Sequence, residues 1–172
     1  PLLGSSFLIA NVANSTDVLP SLAYDETTQR YLVVWHAVVS STVAEVRAQF
    51  VNAAGLLGPQ LLIAPNSVAG VRPVVANINQ RDRFVVAWAG LGSAEVTTVA
   101  AATGAVTGSL SWVLGQPLVG LAIGGDSRTP LIGNADHALL MAVTHAVANP
   151  LSSVSRMTIQ VPASGFATVV AI

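Results

Sequence analysis

The chain contains one stretch twice: PSLAYDETTQRYLVVW at residues 20–35 and PVVANINQRDRFVVAW at residues 73–88. The two copies are 53 residues apart, and in each copy the proline precedes the tryptophan by 15 positions. Each copy has a short apolar run, a polar segment and a second apolar run that ends in the tryptophan. Repetition at this period predicts similar structural units that stack on one another.

A second element is also repeated. The segment LLGSSFLIA at residues 2–10 is similar to LLGPQLLIA at residues 56–64, at an offset of 54. A shorter third copy of the first element runs over residues 130–143 and lacks the tryptophan. The length of 172 residues suits a single domain. The sequence therefore predicts one all-β repeat domain, residues 1–172, that consists of a closing strand (1–10), unit 1 (20–64), unit 2 (73–113) and unit 3 (130–172).

Each unit is predicted to contain four strands. In unit 1, residues 22–24 and 31–35 are apolar runs separated by a polar turn, and residues 42–51 alternate in polarity as a strand does. Residues 52–55, Asn-Ala-Ala-Gly, have the composition of a turn, and residues 61–64 complete the unit. Short strands with regular turn residues are typical of a sandwich, a barrel or a propeller.

The repeat favours the propeller among these. A four-stranded unit of about 50 residues with an aromatic residue at a fixed place is typical of a propeller blade. The pattern Pro-x-x-Ala-Tyr, polar turn, Tyr-Leu-Val-Val-Trp also resembles the blade-like β-propeller repeats of large secreted bacterial proteins, closely over residues 20–64 and less closely over the later units. We expect an all-β, β-propeller-like array of four-stranded blades, about three units plus an extra N-terminal strand. A β-sandwich is the alternative fold.

The number of units predicts association. Propellers close with 4–8 blades, and three blades leave open sheet faces and unpaired strand edges. We expect these edges to pair with other blades, either in a homo-oligomer or in a longer chain of which this is a fragment. Residues 1–10 are predicted to join another unit by strand exchange.

Composition excludes several classes of function. The formal net charge is −1 and only 9% of residues are charged, with no basic patch of the kind that nucleic-acid binding needs. Cysteine is absent, which excludes disulfides, zinc-thiolate sites and a cysteine nucleophile. No apolar run reaches 18 residues, so no membrane span is expected.

No catalytic or metal-binding motif is present. The chain has no G-x-S-x-G, and its histidines do not have the short spacing of zinc ligands. Asp and Glu residues fall in predicted turns or, as for Glu45 and Glu95, at strand positions predicted to face solvent. Trp35 and Trp88 are expected to pack between blades, and Trp112 is the tryptophan that we expect to be most exposed. We therefore predict no enzymatic activity, no cofactor and no metal.

One group of polar residues is predicted to lie on a common face. In an array of four-stranded blades, the loops between units and the loops between second and third strands share one face, and loops on rigid scaffolds often bind ligands. The candidate ligand-binding residues in these loops are Asp17, His36, Arg72, Asp126, Arg128 and His145.

The sequence thus favours a non-enzymatic module for binding, adhesion or assembly, located outside the cell or at the cell surface. One alternative is a lectin-like or carbohydrate-active propeller, with a glycan as the partner. The other is a self-assembling structural subunit that uses strand exchange.

Overall fold

The computed structural model describes residues 8–9, 16–125, 137–145, 152–162 and 167–171. These residues form strands and one short 3-10 turn, Asn79–Arg81. The strands are β1 (Thr16–Asp25), β2 (Arg30–Val38), β3 (Val43–Asn52), β4 (Leu57–Val68), β5 (Val74–Ile78), β6 (Arg83–Gly90), β7 (Ser93–Ala100), β8 (Val106–Val113), β9 (Leu118–Gly125), β10 (His137–His145), β11 (Ser152–Gln160) and β12 (Thr168–Ala171).

The strands form three four-stranded antiparallel sheets, each built from four strands that are consecutive in the chain. Sheet 1 contains β1 to β4, sheet 2 contains β5 to β8 and sheet 3 contains β9 to β12. The prediction of an all-β chain is confirmed, and each of the three sheets has four strands, the number predicted for a repeated unit. Strands that follow one another through short turns pair as hairpins, which explains the sequential order in each sheet.

The turn predicted at residues 52–55 shows how local sequence shapes these hairpins. Asn52 Oδ1 accepts hydrogen bonds from the backbone N–H groups of Ala54 and Leu56, at 3.0 and 2.8 Å. Gly55 has a φ of +78°, a left-handed conformation that residues with a Cβ rarely adopt. The Asn side chain and the glycine together reverse the chain between β3 and β4.

Sheet 3 begins earlier than the repeat predicts. Its first strand, β9, starts at Leu118, whereas unit 3 is predicted to start at residue 130. The predicted first strand at residues 130–132 lies outside the described residues. The sequence of β9, LVGLAIGG, contains three glycines and lacks the proline with which the repeated element begins in units 1 and 2. Its second strand, β10, includes the predicted run 138–143.

The sheets stack face to face. We call the side of sheet 1 that carries Trp35 its front and the side that carries Leu32 its back; Trp88 marks the front of sheet 2, and Leu140 the front of sheet 3. The back of sheet 1 packs on the front of sheet 2 in one apolar cluster. The back of sheet 2, with Val85, packs on the front of sheet 3 in another. Three stacked antiparallel sheets are compatible with both a propeller-like and a sandwich-like arrangement.

The first strands of successive sheets are neighbours. β1 contacts β5, and β5 contacts β9. At the second of these contacts a Cβ on Gly125 would lie 2.5 Å from the carbonyl oxygen of Asn77 and 2.8 Å from Cδ1 of Ile78. Only glycine allows β9 to approach β5 this closely.

The three tryptophans are buried, with exposed fractions of 3% for Trp35, 6% for Trp88 and 7% for Trp112. The prediction that Trp35 and Trp88 are buried is confirmed. Trp112, the candidate for exposure, instead joins the cluster between sheets 2 and 3.

The predicted closing strand, residues 1–10, lies outside the described residues except for Leu8 and Ile9. Neither of these two residues is in a strand. Ile9 packs on the front of sheet 1 against Val33, Trp35 and Val51. The described part of this segment therefore contacts a sheet face, whereas the sequence predicted pairing along an edge.

Candidate binding groove

Four of the six candidate ligand-binding residues belong to one end of their sheets. Arg72 is exposed in the connection between β4 and β5, as predicted. Asp17 lies in β1 opposite Ala37, His36 lies in β2 and His145 ends β10. The prediction that Asp17, His36 and His145 occupy loops is wrong, because the strands extend further than the apolar runs that mark them.

Asp126 and Arg128, the two remaining candidates, lie outside the described residues.

His36 is fully buried between the sheets rather than available to a ligand. Its Nε2 lies 3.1 Å from the hydroxyl oxygen of Ser67, and that hydroxyl donates to the carbonyl of Ala44 at 3.0 Å. Because the serine proton is used on Ala44, His36 Nε2 is the donor to Ser67. Its buried Nδ1 has no hydrogen-bond partner among the described residues. This arrangement suits a neutral imidazole, and burial lowers the pKa of His36 from its usual value of 6.5.

We expect His36 to make the fold sensitive to acid. With a folded-state pKa below 6.5, the unfolded chain takes up the proton first as pH falls, so the free energy of unfolding decreases below about pH 6.5. Above that pH the full contribution of the neutral side chain is present. Urea unfolding at a series of pH values, with His36→Gln for comparison, measures the effect. An identical pH dependence in both proteins would contradict it.

A groove of about 520 Å³ lies between β4 of sheet 1 and the front of sheet 2. Its walls come from residues 63–66 of β4, from Trp88 and Gly90 of β6, from Glu95 and Thr97 of β7, and from β8. Trp88 and Glu95 are directly opposite each other in the register of β6 and β7, so both side chains are on the front of sheet 2. The groove thus combines an indole with a carboxylate.

Hydroxyl groups hold the carboxylate of Glu95 in position. Ser93 and Ser111 both donate to Glu95 Oε1, at 2.6 and 2.7 Å. Gly90 leaves space beside this group, since a Cβ at that position would lie 2.5 Å from Ser93 Oγ and 3.0 Å from Glu95 Oε1. Any larger residue at position 90 would displace the serine or the carboxylate.

In sheet 1 the position opposite the tryptophan is held by Arg47, which pairs with Trp35 as Glu95 pairs with Trp88. Arg47 binds the carboxylate of Glu45, two residues before it in β3. Arg47 Nε and Nη2 both lie 2.7 Å from Glu45 Oε2. Two residues after Glu95 stands Thr97, whose hydroxyl donates to the backbone carbonyls of Thr107 and Gly108. The sequence prediction treated both glutamates as solvent-facing and did not identify the groove.

Among the described residues, no group of three or more His, Asp or Glu side chains is placed to hold a metal ion. In that part of the chain no helix has the length and apolarity to cross a membrane.

Comparison of the chain with protein-family models, with curated proteins and with solved structures found no match. The resemblance to propeller repeats therefore remains a prediction from the sequence.

Proposed function

We propose that this chain is a non-enzymatic assembly module of an extracellular or cell-surface protein, and that two copies join head to tail through their open sheet faces. The observation that carries the proposal is the unequal exposure of equivalent residues on the fronts of sheets 1 and 2.

The first two strands of sheet 1 and of sheet 2 correspond residue by residue at the 53-residue offset. Val75 and Phe84 of sheet 2 are 7% and 0% exposed, because the back of sheet 1 covers them. Their equivalents in sheet 1, Leu22 and Tyr31, are 62% and 37% exposed. Ile9 covers another part of this front, and together with Leu22 and Tyr31 it lines an apolar cavity of about 310 Å³. The front of sheet 1 thus resembles the apolar face of an interface between sheets, but no described sheet of the chain packs on it.

The opposite end of the stack has the complementary surface. Leu139, Met141 and Val154 are exposed on the back of sheet 3. The backs of sheets 1 and 2 are covered in both internal interfaces, where back always packs on front. A second copy offers both missing surfaces at once. The back of its sheet 3 fits the front of the first copy's sheet 1, and the back of the first copy's sheet 3 fits the front of its sheet 1.

A closed arrangement is favoured by this geometry. A head-to-tail contact between unlike surfaces makes a ring when the rotation closes. Two copies with three sheets each give six blades, which lies within the range of about 4–8 at which propellers close. Each large apolar side chain removed from water contributes about 1.5–3 kcal/mol.

A carbohydrate-binding function receives less support. Sugar recognition by stacking needs an accessible aromatic face, and all three tryptophans are at most 7% exposed.

Light scattering with size exclusion tests the proposal. We expect the wild-type chain to have twice the chain mass of 17.5 kDa at micromolar concentration. Leu22→Asp on the front of sheet 1 and Met141→Asp on the back of sheet 3 should each give monomers, because each places a charge in both contacts of the ring. Leu91→Asp is the matched control, since Leu91 is 97% exposed at a hairpin tip and belongs to neither surface.

A mixture of the two variants tests whether one intact contact is enough for a dimer. The Leu22→Asp chain keeps an intact back, and the Met141→Asp chain keeps an intact front, so an equimolar mixture should form a dimer with one intact contact. A monomeric wild-type chain would refute assembly through a second copy. Dissociation by Leu91→Asp would refute the assigned surfaces.

A further inference from the structure

We infer that Ile9 is an intramolecular cover of the front of sheet 1, which competes with the second copy for that face and so sets the concentration at which the chain assembles. The inference rests on the assembly proposed above, because it concerns the same face. Ile9 lies outside the three sheets, and residues 10–15 join it to β1, which begins at Thr16.

The middle of the front of sheet 1 is buried, although no described sheet packs on it. It is an apolar cluster of three residues, each at most 7% exposed: Val33, Trp35 and Val51. Among the described residues, the hydrophobic side chain that packs on this cluster from outside the sheet is that of Ile9. Leu22 and Tyr31, on the same face, remain more exposed. Ile9 thus covers the middle of the front and leaves its margin open.

The corresponding positions in sheet 2 show why this cover and a second copy exclude each other. Val86 and Trp88 correspond to Val33 and Trp35, and both belong to the apolar cluster that the back of sheet 1 forms with the front of sheet 2. A second copy whose sheet 3 packs in the same way needs the space above Val33 and Trp35, and Ile9 occupies that space. Only one of the two can therefore cover the front at a time.

The cover formed by Ile9 is incomplete. An apolar cavity of about 310 Å³ remains between Ile9, Leu22, Tyr31 and the turn between β3 and β4. A whole sheet buries more of this face than one side chain does, and the stabilisation grows with the apolar area removed from water. The second copy therefore displaces Ile9 when its concentration is high enough.

The short connection to β1 makes Ile9 an effective competitor. A group attached through a short linker has an effective concentration on the order of millimolar at its site. The second copy binds only the uncovered face, so its apparent affinity is reduced by the fraction of chains in which the face is uncovered. In a ring of two copies, both covers have to be displaced.

Sedimentation velocity over a dilution series measures the competition. Ile9→Ser removes most of the apolar contact and should lower the dissociation constant of the dimer at least about tenfold, because the front is uncovered in more of the chains. Leu8→Ser is the matched control. Leu8 is exposed and does not belong to the cluster, so the dissociation constant should keep its wild-type value.

A monomeric background tests the cover separately from assembly. In the Met141→Asp chain, which keeps an intact front, Ile9→Ser should shift the indole N–H signal of Trp35 in NMR spectra and speed its exchange with solvent. The signal of Trp88, which lies between sheets 1 and 2, should not change. An unchanged Trp35 signal overturns the inference.

The outcomes separate this inference from the proposed function. If the wild-type chain forms dimers and Ile9→Ser leaves their dissociation constant unchanged or raises it, the competition is overturned while assembly stands. If neither chain forms dimers at any concentration in the series, assembly itself is refuted, and the inference fails with it.

Discussion

Replacement of Trp88 by alanine is expected to lower the free energy of unfolding by about 3–5 kcal/mol, the usual loss for a buried large aromatic residue. The indole is 6% exposed and belongs to the cluster between sheets 1 and 2, with Leu32, Val34 and Phe84 among its members. Its removal leaves a cavity that two rigid sheets fill poorly. Urea unfolding followed by circular dichroism measures the loss without relying on tryptophan fluorescence.

Trp35 provides the internal comparison for this prediction. It holds the equivalent position in sheet 1, but among the described residues its apolar cluster is small, with Val33, Val51 and Ile9 beside the indole. We expect Trp35→Ala to cost less than Trp88→Ala by roughly 1 kcal/mol or more, because fewer neighbours lose contacts. Both variants should be measured in the Met141→Asp background, so that association does not contribute. Equal losses would show that the front of sheet 1 is covered as fully as the front of sheet 2.

The sequence predicted sheets 1 and 2 well because their second strands repeat the same side-chain pattern. Residues 31–35 and 84–88 alternate between the front and the back of their sheets, and both faces are buried wherever a neighbouring sheet packs. That requirement produces apolar runs that end in tryptophan, which are easily recognised. The alternation of residues 42–51 likewise predicted β3 within one residue of its observed bounds.

Sheet 3 was placed less accurately, and the reason lies in its position at the end of the stack. Its back is open, so Leu139 and Met141 alternate with buried residues instead of forming a doubly buried run. The first strand, β9, is rich in glycine where it approaches β5, and glycine carries no hydrophobic signal.

The groove was beyond prediction for a different reason. The sequence shows Trp88 and Glu95 as separate residues of two predicted strands, without the register that places them opposite each other. The stacking of the sheets brings β4 of sheet 1 against the front of sheet 2, where it forms the other wall of the groove. Long-range packing of this kind is not contained in local periodicity.

Removal of the Asp25 side chain is the second substitution with a large expected effect. Asp25 has no exposed surface and accepts three hydrogen bonds. The backbone N–H and the hydroxyl of Thr28 donate to Oδ2 at 2.8 and 2.6 Å, which closes the turn between β1 and β2. The side-chain amide of Asn77, in sheet 2, donates to Oδ1 at 3.0 Å. One carboxylate thus joins a turn of sheet 1 to the first strand of sheet 2.

An Asp25→Ala variant should lose roughly 2–4 kcal/mol, since each buried donor left without an acceptor costs about 1–3 kcal/mol. Thr27→Ala, at an exposed position in the same turn, is the control and should change stability by less than about 0.5 kcal/mol. A double-mutant cycle with Asn77→Ala separates the two roles of the carboxylate, because only the link between sheets couples these residues. A coupling energy near zero would mean that Asp25 stabilises its own turn alone, and that the apolar clusters hold sheets 1 and 2 together without this polar contact.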